Sequence, residues 1–148
     1  YNVRPIELEG ALGQEQIRKL SVFVESRRLN AKYLISQSKN FPRIRLQSEN
    51  GNSSWFGFSL LLSDELSRKR SKLISMLDRA EIQSRPVVAG NFTLNPVMKH
   101  LRHEVLPELP NATNVHNNGL FVGNHHYDLK PQIDRLIEIL IEFEESHV

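Results

Sequence analysis

The 148 residues contain no cysteine, which excludes disulfides, thiolate nucleophiles, iron–sulfur ligation and cysteine-type zinc sites within them. That absence leaves the redox compartment open, although a cytoplasmic origin fits. No apolar run approaches the roughly 20 residues that cross a bilayer, so a membrane domain is not expected. There is one tryptophan and only 7% aromatic residues, and no basic run is interleaved with aromatics as single-strand stacking surfaces require. Nucleic acid is therefore not an expected partner. Internal repeats, low-complexity linkers and phosphate-cradling glycine loops of the P-loop or dinucleotide type are also missing. The chain opens on Tyr1-Asn2-Val3-Arg4-Pro5, with neither an initiator methionine nor a basic-then-apolar leader. The expectation is a piece cut from a longer protein, without a signal peptide.

With 39% apolar and 24% charged residues, the chain is long enough for one domain that buries a single core. The net charge is +2. The cations gather as Arg27-Arg28 and Arg68-Lys69-Arg70-Ser71-Lys72, on segments whose apolar positions are accounted for separately, so both read as solvated helix faces.

From Pro5 to about Ser38 the apolar residues Leu8, Leu12, Ile17, Leu20, Val24, Ala31, Leu34 and Ile35 recur at helical spacing. An interruption near Leu20 to Phe23 leaves one kinked helix or two helices open. Gly10 and Gly13 each weaken a helix, and the usual compensation is close approach of another backbone. Arg43 to Ser48 alternates as a strand with Ile44 and Leu46 on one face, and Asn50-Gly51 signals a hairpin reversal. Trp55 to Leu62 reads as the most apolar strand, with Phe56, Phe58, Leu60 and Leu62 facing the core. Trp55 is either a packing residue or a flat wall over a ligand or subunit. Ser63 or Asp64 caps a helix to about Ala80 with Leu66, Leu73, Ile74, Leu77 and Ala80 buried.

A strand then runs from Ile82 to Ala89, at a sheet edge or bulge because Pro86 donates no ladder hydrogen bond. It ends in a loop opened by Gly90 and Asn91. Arginine, glycine and asparagine converge there and suit an oxygen-rich ligand such as a sugar or phosphate. The bland alternative is a plain connection with Asn95 capping a short helix from Pro96 to Leu101. Glu104 to Asn111 connects to a helix ending at Asn118, closed by Gly119 as a left-handed cap. Leu120-Phe121-Val122 is a short strand broken at Gly123-Asn124-His125-His126. Adjacent side chains of an extended segment point opposite ways, so the two histidines do not suit one metal ion, and no metal site is expected. One of them is either a hydrogen-bonding or acid/base group near a ligand or a satisfied structural histidine. Asp128 caps a last helix with Leu129, Ile133, Leu136, Ile137, Leu140 and Phe143 inside and Glu138, Glu142, Glu144 and Glu145 outside. Strands and helices in this order predict a two-layer α/β (α+β) domain: a long N-terminal helix and a small sheet with helices on one face.

Several blocks carry a resemblance. Tyr1-Asn2-Val3-Arg4-Pro5 with Glu7 to Gly13 and Gln16 to Leu20 is similar to the Gly-Tyr-Asn motif and following helix of the DegT/DnrJ/EryC1/StrS family of pyridoxal-phosphate sugar aminotransferases and their dehydratase relatives. Ser53 to Phe58, Arg85-Pro86 with Gly90-Asn91-Phe92, and Gly119 to His125 continue it over nearly the whole chain. Gly90-Asn91-Phe92 stands where sugar transaminases usually carry Tyr-Pro and Pro-Leu-His type patterns, and so resembles the branch that removes the 3-hydroxyl of a 4-keto-6-deoxy sugar nucleotide.

The resemblance implies the small C-terminal domain of the aspartate-aminotransferase fold, spanning residues 1–148, with the large cofactor-binding domain and the catalytic group elsewhere. On this reading the piece is inert alone, and no catalytic residue is expected in it. The cofactor would be pyridoxal phosphate, or pyridoxamine phosphate made with glutamate as amino donor, in a homodimer working on deoxysugars for lipopolysaccharide. Asn2 and Arg4 would approach the cofactor phosphate of the neighbouring subunit, and that subunit would be the backbone facing Gly10 and Gly13. Arg85, Asn91, Phe92, Asn124 and His125 would face the nucleotide sugar. The alternatives are a sugar 4-aminotransferase of the same family and a free-standing binding domain that kept the fold.

Overall fold

A computed structural model of the chain describes residues 4–105 and 108–147. Strands β1 (Ile44–Leu46), β2 (Gly57–Leu62), β3 (Ser84–Arg85) and β4 (Gly119–Gly123) form one antiparallel sheet in the order β1-β2-β4-β3. Helices α1 (Glu7–Gln37), α2 (Arg70–Arg79), α3 (Pro110–Asn118) and α4 (Lys130–His147) complete the order. The register sets Phe58 against Val122 and Leu60 against Leu120, all buried. Ala31 and Leu34 of α1, Leu73 and Leu77 of α2, and Ile133, Leu136, Leu140 and Phe143 of α4 join them in one core. Side chains alternate across a strand, so α1, α2 and α4 cover one face of the sheet. The short α3 borders the other, where Val115 shares a groove with Arg45, Ser59 and Leu61.

Helix α1 is unbroken over 31 residues, about 46 Å at the usual rise. Glu9 reaches back to the Ile6 amide (3.2 Å), closing the N-terminal turn. Only Asn30, Ala31 and Leu34 of this helix are buried. Leu8, Leu12, Ile17 and Leu20, expected inside, are more than half exposed, because no described residue packs over them. A Cβ on Gly10 or Gly13 would meet nothing within 4 Å, so the approaching backbone expected there is not found among the described residues.

Other expectations shift with local backbone geometry. Trp55 adopts φ 51° and turns the chain just before β2, which buries its indole (4% exposed) and expels Phe56 (72% exposed); Phe56 is not a core residue. β1 and β2 pair as expected, but through the long connection 47–56 and not a tight turn at Asn50-Gly51. Arg28 ties that connection down through the carbonyls of Asn52 (2.9 Å) and Ser53 (2.8 Å). The helix expected from Ser63 is a 3-10 turn, Asp64–Leu66, followed by Arg68 at φ 64°, and α2 begins only at Arg70. The Ser63 hydroxyl is buried without a partner and caps nothing.

The strand expected over 82–89 shrinks to Ser84–Arg85. It does lie at the sheet edge, and Pro86 ends it by withholding an amide. Asn95 caps the Pro96–His100 turn by accepting from Val97 N (3.0 Å). Gly119 has φ −88° and is not a left-handed cap. It is required because a Cβ there would stand 2.4 Å from the Val115 carbonyl oxygen.

Glu144, expected outside, is buried (4% exposed). Its carboxylate accepts from the Arg43 amide (2.7 Å) and faces the Arg43 guanidinium at 3.8 Å, linking α4 to the start of β1. Burial pushes its carboxyl above the ordinary value of 4.5, outweighing the lowering by Arg43, and Glu65 adds to the rise. The folded protein then keeps this proton where the unfolded chain has lost it. The associated stability is complete below pH 4.5 and is lost as pH rises through the raised value. Urea unfolding at stepped pH is expected to show wild type losing stability relative to Glu144→Gln as pH climbs above 4.5; a pH-independent difference would contradict this.

Candidate functional site

The residues singled out from the sequence fall on separate stretches of backbone: the start of the chain ahead of α1, β3 with the loop after it, and the segment after β4. Asn2 lies outside the described residues. Arg4 is exposed just ahead of α1, where a guanidinium near the positive end of a helix dipole suits a phosphate oxygen. Arg85 is exposed on the edge strand β3, in register with Phe121 of β4.

Asn91 and Phe92 occupy the loop that follows. Gly90 makes that loop possible: it sits at φ 58°, and a Cβ there would stand 3.0 Å from the His116 Cα. Asn91 is buried, accepting from Thr93 N (3.1 Å) and Thr93 Oγ1 (2.6 Å) and donating to Thr113 Oγ1 (3.0 Å). Its amide therefore shapes the loop against α3. Phe92 beside it is 47% exposed.

Asn124 and His125 follow β4. Asn124 is buried and donates to the carbonyls of Arg27 and Trp55 (both 2.9 Å). Its oxygen accepts from Asn30 Nδ2 (3.0 Å), which also lies 3.2 Å from the His125 carbonyl and 2.8 Å from that of Tyr127. Asn30 Oδ1 in turn accepts from Leu129 N (3.2 Å). Two buried asparagines thus fasten α1 to the whole segment between β4 and α4, satisfying polar groups that would otherwise be costly to bury.

His125 is exposed. Its ring lies 4.3 Å from that of His126 and 4.4 Å from that of Tyr127, and His126 lies 4.0 Å from Phe23. The segment is not extended, so the two imidazoles do not point opposite ways as expected; they pack on each other. Burial lowers the His126 pKa, and the charges of His125 and Arg27 lower it further, which favours a neutral ring. Among the described residues no group of three or more His, Asp or Glu side chains is placed to hold a metal ion. A pocket of about 320 Å³ opens beside His125, bordered by Gln83, Asn124, Tyr127 and Gln132.

The exposed Arg85, Phe92 and His125 can meet a ligand, whereas Asn91 and Asn124 hold the backbone that presents them. Sequence reading missed Asn30 and Arg27. Asn30 sits four residues before the buried Leu34 and beside the buried Ala31, and a poor helix former on a buried helical stripe is the available signal. Nothing in the sequence distinguishes Arg27 from Arg28.

The chain matches the model of the DegT/DnrJ/EryC1/StrS aminotransferase family over residues 1–140. It belongs to that family. It is 44% identical over 141 residues to the GDP-4-keto-6-deoxy-D-mannose 3-dehydratase of Escherichia coli O55:H7, covering 95% of this chain and 36% of that protein. A solved structure of the E. coli dehydratase with bound hydrated pyridoxal phosphate superposes with a TM-score of 0.88 at 44% identity, again covering 95% of this chain and 36% of the other. The fold is thus that of one part of a pyridoxal-phosphate-dependent aminotransferase-fold enzyme. A GDP-perosamine synthase of Vibrio cholerae matches at 27% identity over 76% of this chain and 30% of its own length. The chain therefore spans about a third of the length of the curated relatives it matches.

The donor set fits a peripheral share of a pyridoxal-phosphate site. Arg4 can meet a phosphate, but no lysine among the described residues is buried, and a cofactor-anchoring lysine works in a desolvated pocket.

Replacing Asn30 with alanine leaves the buried Asn124 side-chain oxygen, the part-buried carbonyls of His125 and Tyr127 and the Leu129 amide without this partner. The expected cost is about 2–3 kcal/mol in urea unfolding, with faster hydrogen exchange at Leu129. A loss below about 0.5 kcal/mol would show that the asparagine pair does not hold the segment.

Proposed function

We propose that this chain is the C-terminal domain of a pyridoxal-phosphate-dependent 3-dehydratase acting on a GDP-linked 4-keto-6-deoxy sugar. The observation that carries the reading is the contrast between its relatives: 44% identity over 95% of the chain to a dehydratase, against 27% over 76% to a perosamine synthase. The exposed Arg85 and His125 are chemically suited to an anionic, hydroxyl-rich substrate.

A bound cofactor would supply an amine for the sugar's C4 ketone and, in the amine form made with glutamate, the electron pair that departure of the C3 hydroxyl requires. The residues of this chain serve that chemistry from the side. Arg85 pairs with diphosphate oxygens through its guanidinium. His125 hydrogen-bonds a sugar hydroxyl, Phe92 closes one wall and excludes water, and Asn91 and Asn124 keep the two loops in place. Asn2 and Arg4 reach the cofactor phosphate of a neighbouring subunit in a homodimer. The cofactor anchor, and the acid/base group that moves protons during the reaction, belong to the rest of the protein. Glutamate serves as amino donor, and the reaction, a lyase step in deoxysugar assembly for lipopolysaccharide, takes place in the cytoplasm. No helix of the described residues is long and apolar enough to cross a membrane.

The 4-aminotransferase reading keeps some support from the perosamine synthase match. Full-length protein supplied with pyridoxal phosphate, glutamate and GDP-4-keto-6-deoxymannose is expected to release ammonia and form a 3-deoxy sugar. Accumulation of a stable 4-amino sugar would contradict the dehydratase reading.

A further inference from the structure

The sheet face opposite the core carries a row of aromatic and cationic side chains. Ser59 pairs with Phe121, and Phe121 with Arg85. Because the intervening Phe58, Leu60, Leu120 and Val122 are buried, this row faces away from the core. Phe56 adds a second ring, stacked on Phe121 with centroids 6.0 Å apart and planes at 24°. Phe56 is 72% exposed, a large apolar area beside cations. The Arg27 guanidinium carbon lies 5.8 Å from the Phe56 ring centre, and the Arg27 Nε is buried without a hydrogen-bond partner. Arg27 and Phe121 thus flank Phe56 by contact, and the strand register places Arg85 beside Phe121. None of the four strands contains an aspartate or glutamate, so nothing on them neutralises the guanidiniums.

A ligand matching this row is flat and aromatic at one point and anionic a few ångströms away, which describes a nucleoside diphosphate. Stacking on an exposed phenyl recovers the surface Phe56 leaves in water. The Arg27 guanidinium, which lies over that ring, supplies donors to the acceptor edge of a purine extending past it. Across the strand pair, side chains in register lie about 5 Å apart, which puts the second guanidinium within the span from a base to its diphosphate.

We propose that Phe56 is the stacking surface for the base of the nucleotide sugar, backed by Phe121, with Arg27 at the base edge and Arg85 at the diphosphate. This rests on the nucleotide-sugar reading above and assigns specificity residues to it. The competing occupant of Phe56 is another part of the same protein, which would need its apolar bulk and not its flat ring.

Phe56→Leu separates the two, because it keeps the apolar cover and removes the π face. In the full-length, cofactor-loaded protein, GDP affinity measured by calorimetry is expected to fall about tenfold in Phe56→Leu and further in Phe56→Ala. Cofactor content and melting temperature of Phe56→Leu should stay at wild-type values. Arg27→Gln, which leaves both rings in place, is expected to weaken GDP several-fold. Unchanged GDP affinity in Phe56→Leu and Arg27→Gln would overturn the proposal, as would a loss of affinity that only follows loss of cofactor or of folding. A 4-amino sugar product from the wild type, together with weakened GDP binding in the variants, would contradict the dehydratase reading and support the stacking surface.

Discussion

The pairing of β2 with β4 is the constraint on which the rest depends. Its register puts Phe58 and Leu60 opposite Val122 and Leu120 on the buried face, and Ser59 opposite Phe121 on the open one. A slip of one residue would exchange the two faces entirely. Gly57 makes the pairing possible at its far end, where a Cβ would lie 2.2 Å from the Phe121 ring and 2.6 Å from the Val122 carbonyl. Immediately beyond that point stand Phe56 and Asn124, whose backbones remain joined by Asn124 N and Phe56 O at 3.3 Å. Aromatic ring and asparagine lock are therefore both placed by one strand pair.

Helix α1 extends that order in two directions. Its C-terminal third is anchored by Ala31 and Leu34 in the core and by Asn30 in the loop after β4. The remainder presents Leu8, Leu12, Ile17 and Leu20 on its surface, a stripe that wants burial and finds none among the described residues. A chain about a third the length of its relatives is consistent with a helix made to carry other parts of the protein. The exposed members of the candidate site, Arg85, Phe92 and His125, belong to the same account: each is held from behind by this domain and faces outward.

Much of the fold was legible because apolar alternation is a strong signal wherever one face is buried. The strands β2 and β4 and the helix α4 follow from apolar periodicity, and the edge placement of β3 follows from Pro86. What escaped was set by single backbone conformations and by buried polar partners. The left-handed geometry at Trp55 and Arg68 moved Phe56 out of the core and delayed α2, and neither residue type advertises that conformation. Glu144 looks like any surface glutamate of an amphipathic helix until the Arg43 amide is seen beside it. Asn91 and Asn124 show the limit most plainly. An amide that could meet a sugar hydroxyl is equally able to cap a turn or bridge two carbonyls, and here both are engaged internally. The family resemblance pointed to the loops through Arg85-Pro86, Gly90-Asn91-Phe92 and Gly119 to His125; the structure divides their residues into buried Asn91 and Asn124 and exposed Arg85, Phe92 and His125.

The central claim is that this domain supplies one wall of a nucleotide-sugar site and none of the cofactor chemistry. A crystal structure of the full-length protein with cofactor and a bound GDP-sugar tests it most directly. The account predicts a diphosphate oxygen within hydrogen-bond distance of the Arg85 guanidinium and the cofactor's reactive carbon held by residues outside this chain. A ligand bound wholly away from residues 4–147, or a cofactor anchored by one of their lysines, would contradict it.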